Sequence, residues 1–207
     1  MIKIGMTGAQ GTGKTSMAQA MINSPAFKDF VLVPSTARQI KDYGYPINRE
    51  ATELSQLLVP ALRMVDEWET MNSPQNTLYK QGIISDRTLI DSLAYTYYQN
   101  EHVWENGALV ENVTRRLTEM HMQSYHFVLY FPVYWEAEDD GVRDADESYR
   151  TRIDDYVIQA LEMLNVPYLT VPDVSPEERV EWFIGEIQEL YAEAERQYLR
   201  RFGNDLL

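Results

Sequence analysis

The residues Gly8-Ala9-Gln10-Gly11-Thr12-Gly13-Lys14-Thr15 satisfy the pattern Gly-x-x-x-x-Gly-Lys-[Ser/Thr] at every defined position. Glycines at those offsets let successive backbone N–H groups turn inward around phosphate oxygens, and the start of a following helix adds partial positive charge. Lys14 can then reach the β and γ phosphates, while the Thr15 hydroxyl ligates a Mg2+ ion that bridges them. A glycine turn that merely joins a strand to a helix needs no lysine followed by threonine at that offset. The stretch therefore predicts a nucleoside triphosphate site formed by Gly8, Ala9, Gly11, Thr12, Gly13, Lys14, Thr15 and Ser16.

A second informative run is Ile83-Ile84-Ser85-Asp86-Arg87. An acid at the end of an apolar strand beside a phosphate loop can hold Mg2+ or one of its waters, so Asp86 joins Thr15 as an expected metal residue. Arg87 offers a planar fork that grips phosphate in two places, which suits an acceptor phosphate or the transferred group. The plainer reading of the pair is a salt bridge at a strand edge. Neither D-x-x-G nor N-K-x-D occurs in the chain, which argues against a guanine-nucleotide switch. The strand-end Asp-Glu usual in motor or AAA-type ATPases is replaced here by Asp86-Arg87. His102, His121 and His126 have neither metal-ligand spacing nor a nucleophile to serve and read as structural or surface residues.

These residues need a scaffold. Five short apolar runs, Ile2 to Met6, Phe30 to Val33, Gly82 to Ser85, Phe127 to Phe131 and Tyr168 to Val171, read as buried strands. Between them, Lys14–Ile22, Thr36–Asp42, Glu50–Met71, Leu89–Tyr98, Glu105–Met122 and Glu147–Leu164 carry helical periodicity. Strands alternating with helices predict an α/β class with a mostly parallel five-stranded sheet covered on both faces. Ser175-Pro176-Glu177-Glu178 opens a long terminal helix over about 175–202. Its stripe, Val180, Phe183, Ile184, Ile187, Leu190, Tyr191, Ala194 and Tyr198, either packs on the domain or pairs two copies as a homodimer.

At 207 residues the chain fits one domain, 1–207. With 18 Lys+Arg against 32 Asp+Glu its formal charge is −14, which repels a phosphate backbone and disfavours duplex nucleic acid as main partner. The absence of cysteine excludes disulfides, thiolate metal sites and cysteine nucleophiles. No run of 18 apolar residues appears and the N-terminus does not read as a signal peptide, so a soluble, cytoplasmic protein without membrane partners is expected.

The run Asp86-Arg87-Thr88 through Asp91-Ser92 to Ala94-Tyr95 is similar to the thymidylate kinase stretch in which Asp-Arg-aromatic precedes a Ser and an Ala-Tyr. Thr88 stands where the aromatic is usual. Phe131-Pro132-Val133-Tyr134-Trp135, Asp140-Gly141-Val142-Arg143, the helix Glu147–Leu164, Val166-Pro167-Tyr168 and Glu178-Arg179 together resemble the ribosylnicotinamide kinase group. Both point to the P-loop nucleotide and nucleoside kinases. The resemblance implies a P-loop NTPase three-layer fold, ATP with Mg2+ as cofactors, an acceptor monophosphate gripped by Arg87, and a lid over about 134–152. Arg143 foremost, with Arg150 and Arg152, would then stabilise the transferring phosphoryl group alongside Lys14 and Asp86. Surface ion pairing with Glu138, Asp139, Asp144 and Asp146 is the alternative for these arginines.

The chain departs from those families at two positions. Ser35 stands where deoxynucleoside and ribosylnicotinamide kinases usually place a glutamate, and Gln10 where thymidylate kinases can carry an acid in the loop. A neutral hydroxyl acceptor profits from a base, whereas an acceptor phosphate is already anionic, so both departures lean toward a monophosphate. If a base is used, Asp86 or Asp91 could supply it. Arg38 either helps Arg87 hold the acceptor or faces solvent on its helix. Tyr45 to Arg49 could wall the acceptor and Gln56 read a base edge. The leading expectation is transfer from ATP to a deoxynucleoside monophosphate such as dTMP. The alternatives are a nucleoside or ribosylnicotinamide kinase, a kinase acting on a modified base in DNA, and a regulatory ATPase or binding module.

Overall fold

A parallel sheet buried on both faces needs strands that are apolar almost throughout, and the five predicted runs meet that demand. In the computed structural model, residues 1–134 and 147–202 are described, with side chains described through residue 193. The central strand β1 (Ile2–Thr7) pairs with β3 (Gly82–Asp86) on one side and β4 (Phe127–Tyr130) on the other. Outside them lie β2 (Phe30–Val33) and β5 (Leu169–Thr170), giving the order β2-β3-β1-β4-β5 with every pair parallel. The predicted sheet is thus present and wholly parallel.

The register matters for function. Met6 stands opposite Asp86, and Thr7 opposite Tyr130. The carboxyl ends of β1, β3 and β4 therefore open together at one edge, where ligands of doubly wound sheets bind.

Eight α-helices are described: α1 (Lys14–Asn23), α2 (Thr36–Asp42), α3 (Glu53–Asn72), α4 (Pro74–Tyr79), α5 (Leu89–His102), α6 (Ala108–Met122), α7 (Glu147–Met163) and α8 (Pro176–Phe202). Alternating strand residues feed two cores. Ile4, Met6, Ile84 and Leu129 pack with Met17 and Met21 of α1 and Val180 and Phe183 of α8. On the opposite face Val128 and Tyr130 meet Leu93 and Ala94 of α5 and Ile153 and Val157 of α7.

The expected helix over 50–71 begins later, at Glu53, because Thr52 and Ser55 form a reciprocal capping box and residues 48–50 make a separate 3-10 turn. The helix expected from Glu105 begins at Ala108. Helix α4 was not anticipated; its start is marked by the Ser73 side chain accepting from Asn76 N–H and by Pro74 at the first position. In the terminal helix Val180 and Phe183 are buried, whereas Leu190 and Tyr191 are exposed, so the first half of its stripe packs on the domain. Ala194 and Tyr198 fall outside the described side chains, and the expected lid falls largely on residues 135–146, outside the described residues. No described helix is long and apolar enough to cross a membrane.

Candidate functional site

The loop between β1 and α1 owes its course to glycine. Gly8 has φ 145°, and a Cβ there would meet the Phe131 carbonyl oxygen at 2.5 Å. Gly13, at φ 87°, is the N-cap of α1 and turns the chain into the helix. Gly11, Thr12, Gly13, Lys14, Thr15 and Ser16 line one concavity with Asp86 and Arg87, while Gly8 and Ala9 are buried and do not line it. Thr15 and Ser16 are exposed at the mouth. Lys14 is curled onto the loop and donates to the carbonyls of Gly8 (2.8 Å) and Ala9 (2.5 Å) and to Thr12 Oγ1 (3.0 Å). Burial and the neighbouring Arg87 bring its pKa down to about 7, against the pull of Asp91, Asp86 and Asp154.

Thr15 Oγ1 donates to Asp86 Oδ2 at 2.7 Å, which places two hard oxygen atoms side by side beside the phosphate loop. That donor set fits Mg2+, a cation that prefers a carboxylate, a hydroxyl and phosphate oxygens to a closed protein cage.

Arg87 follows at the end of β3 with φ 88°, a left-handed backbone that is uncommon for a bulky residue and is held by its surroundings. Its Nη1 donates to Asp91 Oδ1 at 2.9 Å. Burial opposes its charge, but Tyr95, Asp91 and Asp86 together raise its pKa above the ordinary arginine value. Asp91 is buried and accepts three bonds, from Gly8 N–H (3.3 Å), Thr88 N–H (3.1 Å) and Arg87. It therefore links the phosphate loop to Arg87 and caps α5 as well.

Arg87 and Asp91 also line an inner pocket, together with Gln56 and Arg63 of α3, Ile47 and Tyr95. Pro46, Ile47 and Asn48 contribute to that wall, while Arg49 stacks on Tyr149 at 4.5 Å. Beside it opens a wider cleft of about 680 Å3, lined by Gln10, Thr15, Ser35, Arg38, Asp86 and Arg87 among others, a volume suited to a nucleotide-sized ligand. Arg38 is exposed on that cleft's rim.

The three lid arginines have different fates. Arg143 lies outside the described residues. Arg150 is fully buried against the phosphate loop, where its Nε donates to the Gln10 carbonyl at 3.0 Å and its Nη1 to Glu147 at 3.1 Å. Arg152 is directed elsewhere: it pairs with Glu101 of α5 at 3.3 Å and lies over the Tyr156 ring. The structure brings Arg150 to the loop and ties Arg152 to the far end of α5, because residues two apart on a helix do not share a face.

Sequence reasoning overlooked Arg63 and assigned no role to Arg179. Arg63, 1% exposed, donates to the carbonyls of Asp86 (2.9 Å) and Val33 (3.4 Å) and so fixes the ends of β3 and β2. Arg179 of α8 donates to the Thr12 carbonyl at 3.3 Å from the opposite side of the loop. For Arg63 a signal existed: Gln56, Pro60, Arg63 and Glu67 recur at the spacing of the buried face of α3.

A parallel sheet in the order 2-3-1-4-5, a glycine loop closing on a lysine, and a threonine–aspartate pair at the next strand end define an α/β P-loop nucleotide-binding domain of the kinase-like type. More particularly, residues 3–179 match the family described as "AAA domain", and the chain belongs to it. No curated protein matches the chain.

Among solved structures, NadR in complex with NR is similar with a TM-score of 0.70 at 17% identity over 87% of this chain and 50% of that one. The chain thus spans about half the length of NadR. Deoxyadenosine kinase from M. mycoides, with dCMP and dCDP bound, gives 0.62 at 12% identity over 91% of this chain and 100% of its own. Thymidylate kinase from Ehrlichia chaffeensis gives 0.55 at 16% over 91% and 98%. At these identities the likeness shows the P-loop kinase fold.

Proposed function

We propose that the protein transfers the γ-phosphoryl group of ATP, with Mg2+, to a nucleotide, and that the acceptor is a deoxynucleoside monophosphate such as dTMP. The observation that carries this reading is the charge arrangement of the inner pocket. Arg87 and Arg63 line it, and its single lining carboxylate among the described residues, Asp91, already accepts from three donors. A pocket with two guanidinium groups and no idle base is suited to an acceptor that brings its own negative charge and needs positioning. Ser35, at the position where a glutamate would otherwise orient a hydroxyl, lines the wider cleft.

In this reading the loop amides and Lys14 hold the β and γ phosphates, and Lys14 exchanges its contacts with the Gly8 and Ala9 carbonyls for phosphate oxygens. Thr15 and Asp86 hold Mg2+, which supplies charge neutralisation between the phosphates when bound. Arg87 holds the acceptor phosphate at an angle set by Asp91. Arg150 lies against the loop backbone and stabilises the charge that develops on the phosphoryl group.

A nucleoside acceptor, including ribosylnicotinamide, is the second reading. It is favoured by Asp66 of α3, which lines the wider cleft and whose pKa burial raises above the ordinary carboxylate value, as suits a base. The deciding experiment measures ADP release from Mg2+-ATP with each common nucleoside, deoxynucleoside, monophosphate and ribosylnicotinamide, with products identified by mass. Turnover with a monophosphate supports the first reading and turnover restricted to nucleosides the second. Slow hydrolysis with no acceptor would overturn both.

A further inference from the structure

Gln10, the third residue of the phosphate loop, is 5% exposed and has a use that the scheme above does not supply. Its Oε1 accepts from the Tyr95 hydroxyl at 2.7 Å, and its Nε2 is buried with no hydrogen-bond partner among the described residues. The orientation of this amide follows from its neighbours. The Arg87 guanidinium lies over the Tyr95 ring, 5.9 Å from its centroid. The Tyr95 hydroxyl gives its proton to Gln10 Oε1, and the NH2 end of Gln10 is left as a donor. Beside it, Arg150 donates through Nε to the Gln10 carbonyl, and its Nη2 is also buried without a partner among the described residues. Two buried donors at one loop residue with no acceptor are costly unless an anionic group completes the site. Gln10 lines the cleft with Thr15 and Asp86 on the donor side and Arg87 on the acceptor side.

We propose that Gln10 Nε2 donates a hydrogen bond to an oxygen of the phosphoryl group in transit, and that Tyr95 is the positioning residue that coordinates this donor with the acceptor-holding Arg87. The inference rests on the phosphoryl-transfer reading. During the step the bond from the γ phosphorus to the β-phosphate bridging oxygen breaks, and a bond from an acceptor oxygen to that phosphorus forms. Gln10 neither gains nor loses a proton. An amide donor held rigidly at that point stabilises charge on the equatorial oxygens without reorganising. A carboxylate at position 10 would instead repel them.

The test measures affinity for Mg2+-ADP and for Mg2+-ADP with aluminium fluoride, a planar mimic of the phosphoryl group in transit, by calorimetry. Wild type, Gln10→Ala, Tyr95→Phe and the double variant are compared, together with kcat and KM on the accepted substrate. Gln10→Ala is expected to bind ADP as wild type does and to lose about 100-fold in affinity for the fluoride complex, with a matching fall in kcat and little change in acceptor KM. Tyr95→Phe should show a smaller loss of the same kind. The double variant should be no worse than Gln10→Ala alone, since Tyr95 acts through Gln10.

Equal affinity of wild type and Gln10→Ala for the fluoride complex, or a change confined to acceptor KM, would overturn the proposal. The binding measurement needs no acceptor, so it stands even if the acceptor panel refutes the monophosphate reading.

Discussion

Glu67 of α3 is 1% exposed and is the acceptor for an unusual set of partners on the sheet face away from α1. Lys3 of β1 lies at 2.5 Å, His121 of α6 at 2.7 Å, Ser85 of β3 at 2.7 Å and the Tyr125 hydroxyl at 2.5 Å. Lys3 itself is 2% exposed. The perturbation is Glu67→Ala, which leaves the buried Lys3 ammonium without its carboxylate, with His121, Ser124 and the Tyr125 ring as neighbours among the described residues. Breaking a buried pair from one side costs about 3–5 kcal/mol. Against a total stability of about 5–15 kcal/mol the loss is large, and it corresponds to a fall in Tm of about 10 °C for a chain of this size.

The pH dependence of this network has a definite sign. Burial opposes ionisation of Glu67, but the hydrogen bond from His121 and the charge of Lys3 outweigh it and bring the pKa to about 2, below the ordinary 4.5. The stabilisation is therefore complete above pH 4.5 and is lost as pH falls from 4.5 toward 2, with a ceiling of about 3 kcal/mol. Lys3 is also lowered, by burial even with Glu67 beside it, and for a cationic group that direction is unfavourable, so desolvation takes back part of the gain. Urea unfolding of wild type, Glu67→Gln and Glu67→Ala between pH 2 and 7 measures this. A Glu67→Ala protein within about 1 kcal/mol of wild type, with a gap independent of pH, would refute the reasoning.

Lys14→Ala should abolish phosphoryl transfer while leaving the far-ultraviolet circular dichroism unchanged, and a folded, active variant would break the scheme. Because burial and Arg87 depress Lys14 to about 7, the unfolded chain binds the extra proton between pH 7 and the ordinary 10.5. This group therefore makes the ligand-free protein more stable as pH rises through that window, and the stability gap between Lys14→Met and wild type should narrow from pH 6 to 10. Arg87→Lys retains charge but loses the planar fork. It should raise KM for a monophosphate about 10- to 100-fold with a smaller effect on KM for ATP, as steady-state kinetics would show.

Local signals were enough for much of the architecture. The ranges of β2 and α2 were read without error from Phe30–Val33 and Thr36–Asp42, because a short apolar run and a helical period each express themselves within a few residues. The elements that were misjudged depended on contacts. The start of α3 is decided by the Thr52–Ser55 box, and β5 is only Leu169–Thr170 because pairing with β4 is limited to Leu129 and Tyr130.

The candidate site divides in the same way. Gly8 to Thr15 announce a phosphate loop by themselves, since the motif is contiguous and its glycines serve a backbone geometry that local sequence controls. Asp86-Arg87 was legible as a strand-end pair, but its neighbourhood was not. Only the parallel register of β1 and β3 sets Asp86 against Thr15, and only the docking of α5 lets Asp91 join Gly8 to Arg87. Arg63, Gln10–Tyr95 and Arg179 became meaningful at sequence separations of 23, 85 and 167 residues. No periodicity within one element reports such pairings, because they are selected by the packing of the whole domain. The sequence by itself thus determined the loop chemistry and the α/β class, and the tertiary structure alone decided which side chains share the cleft.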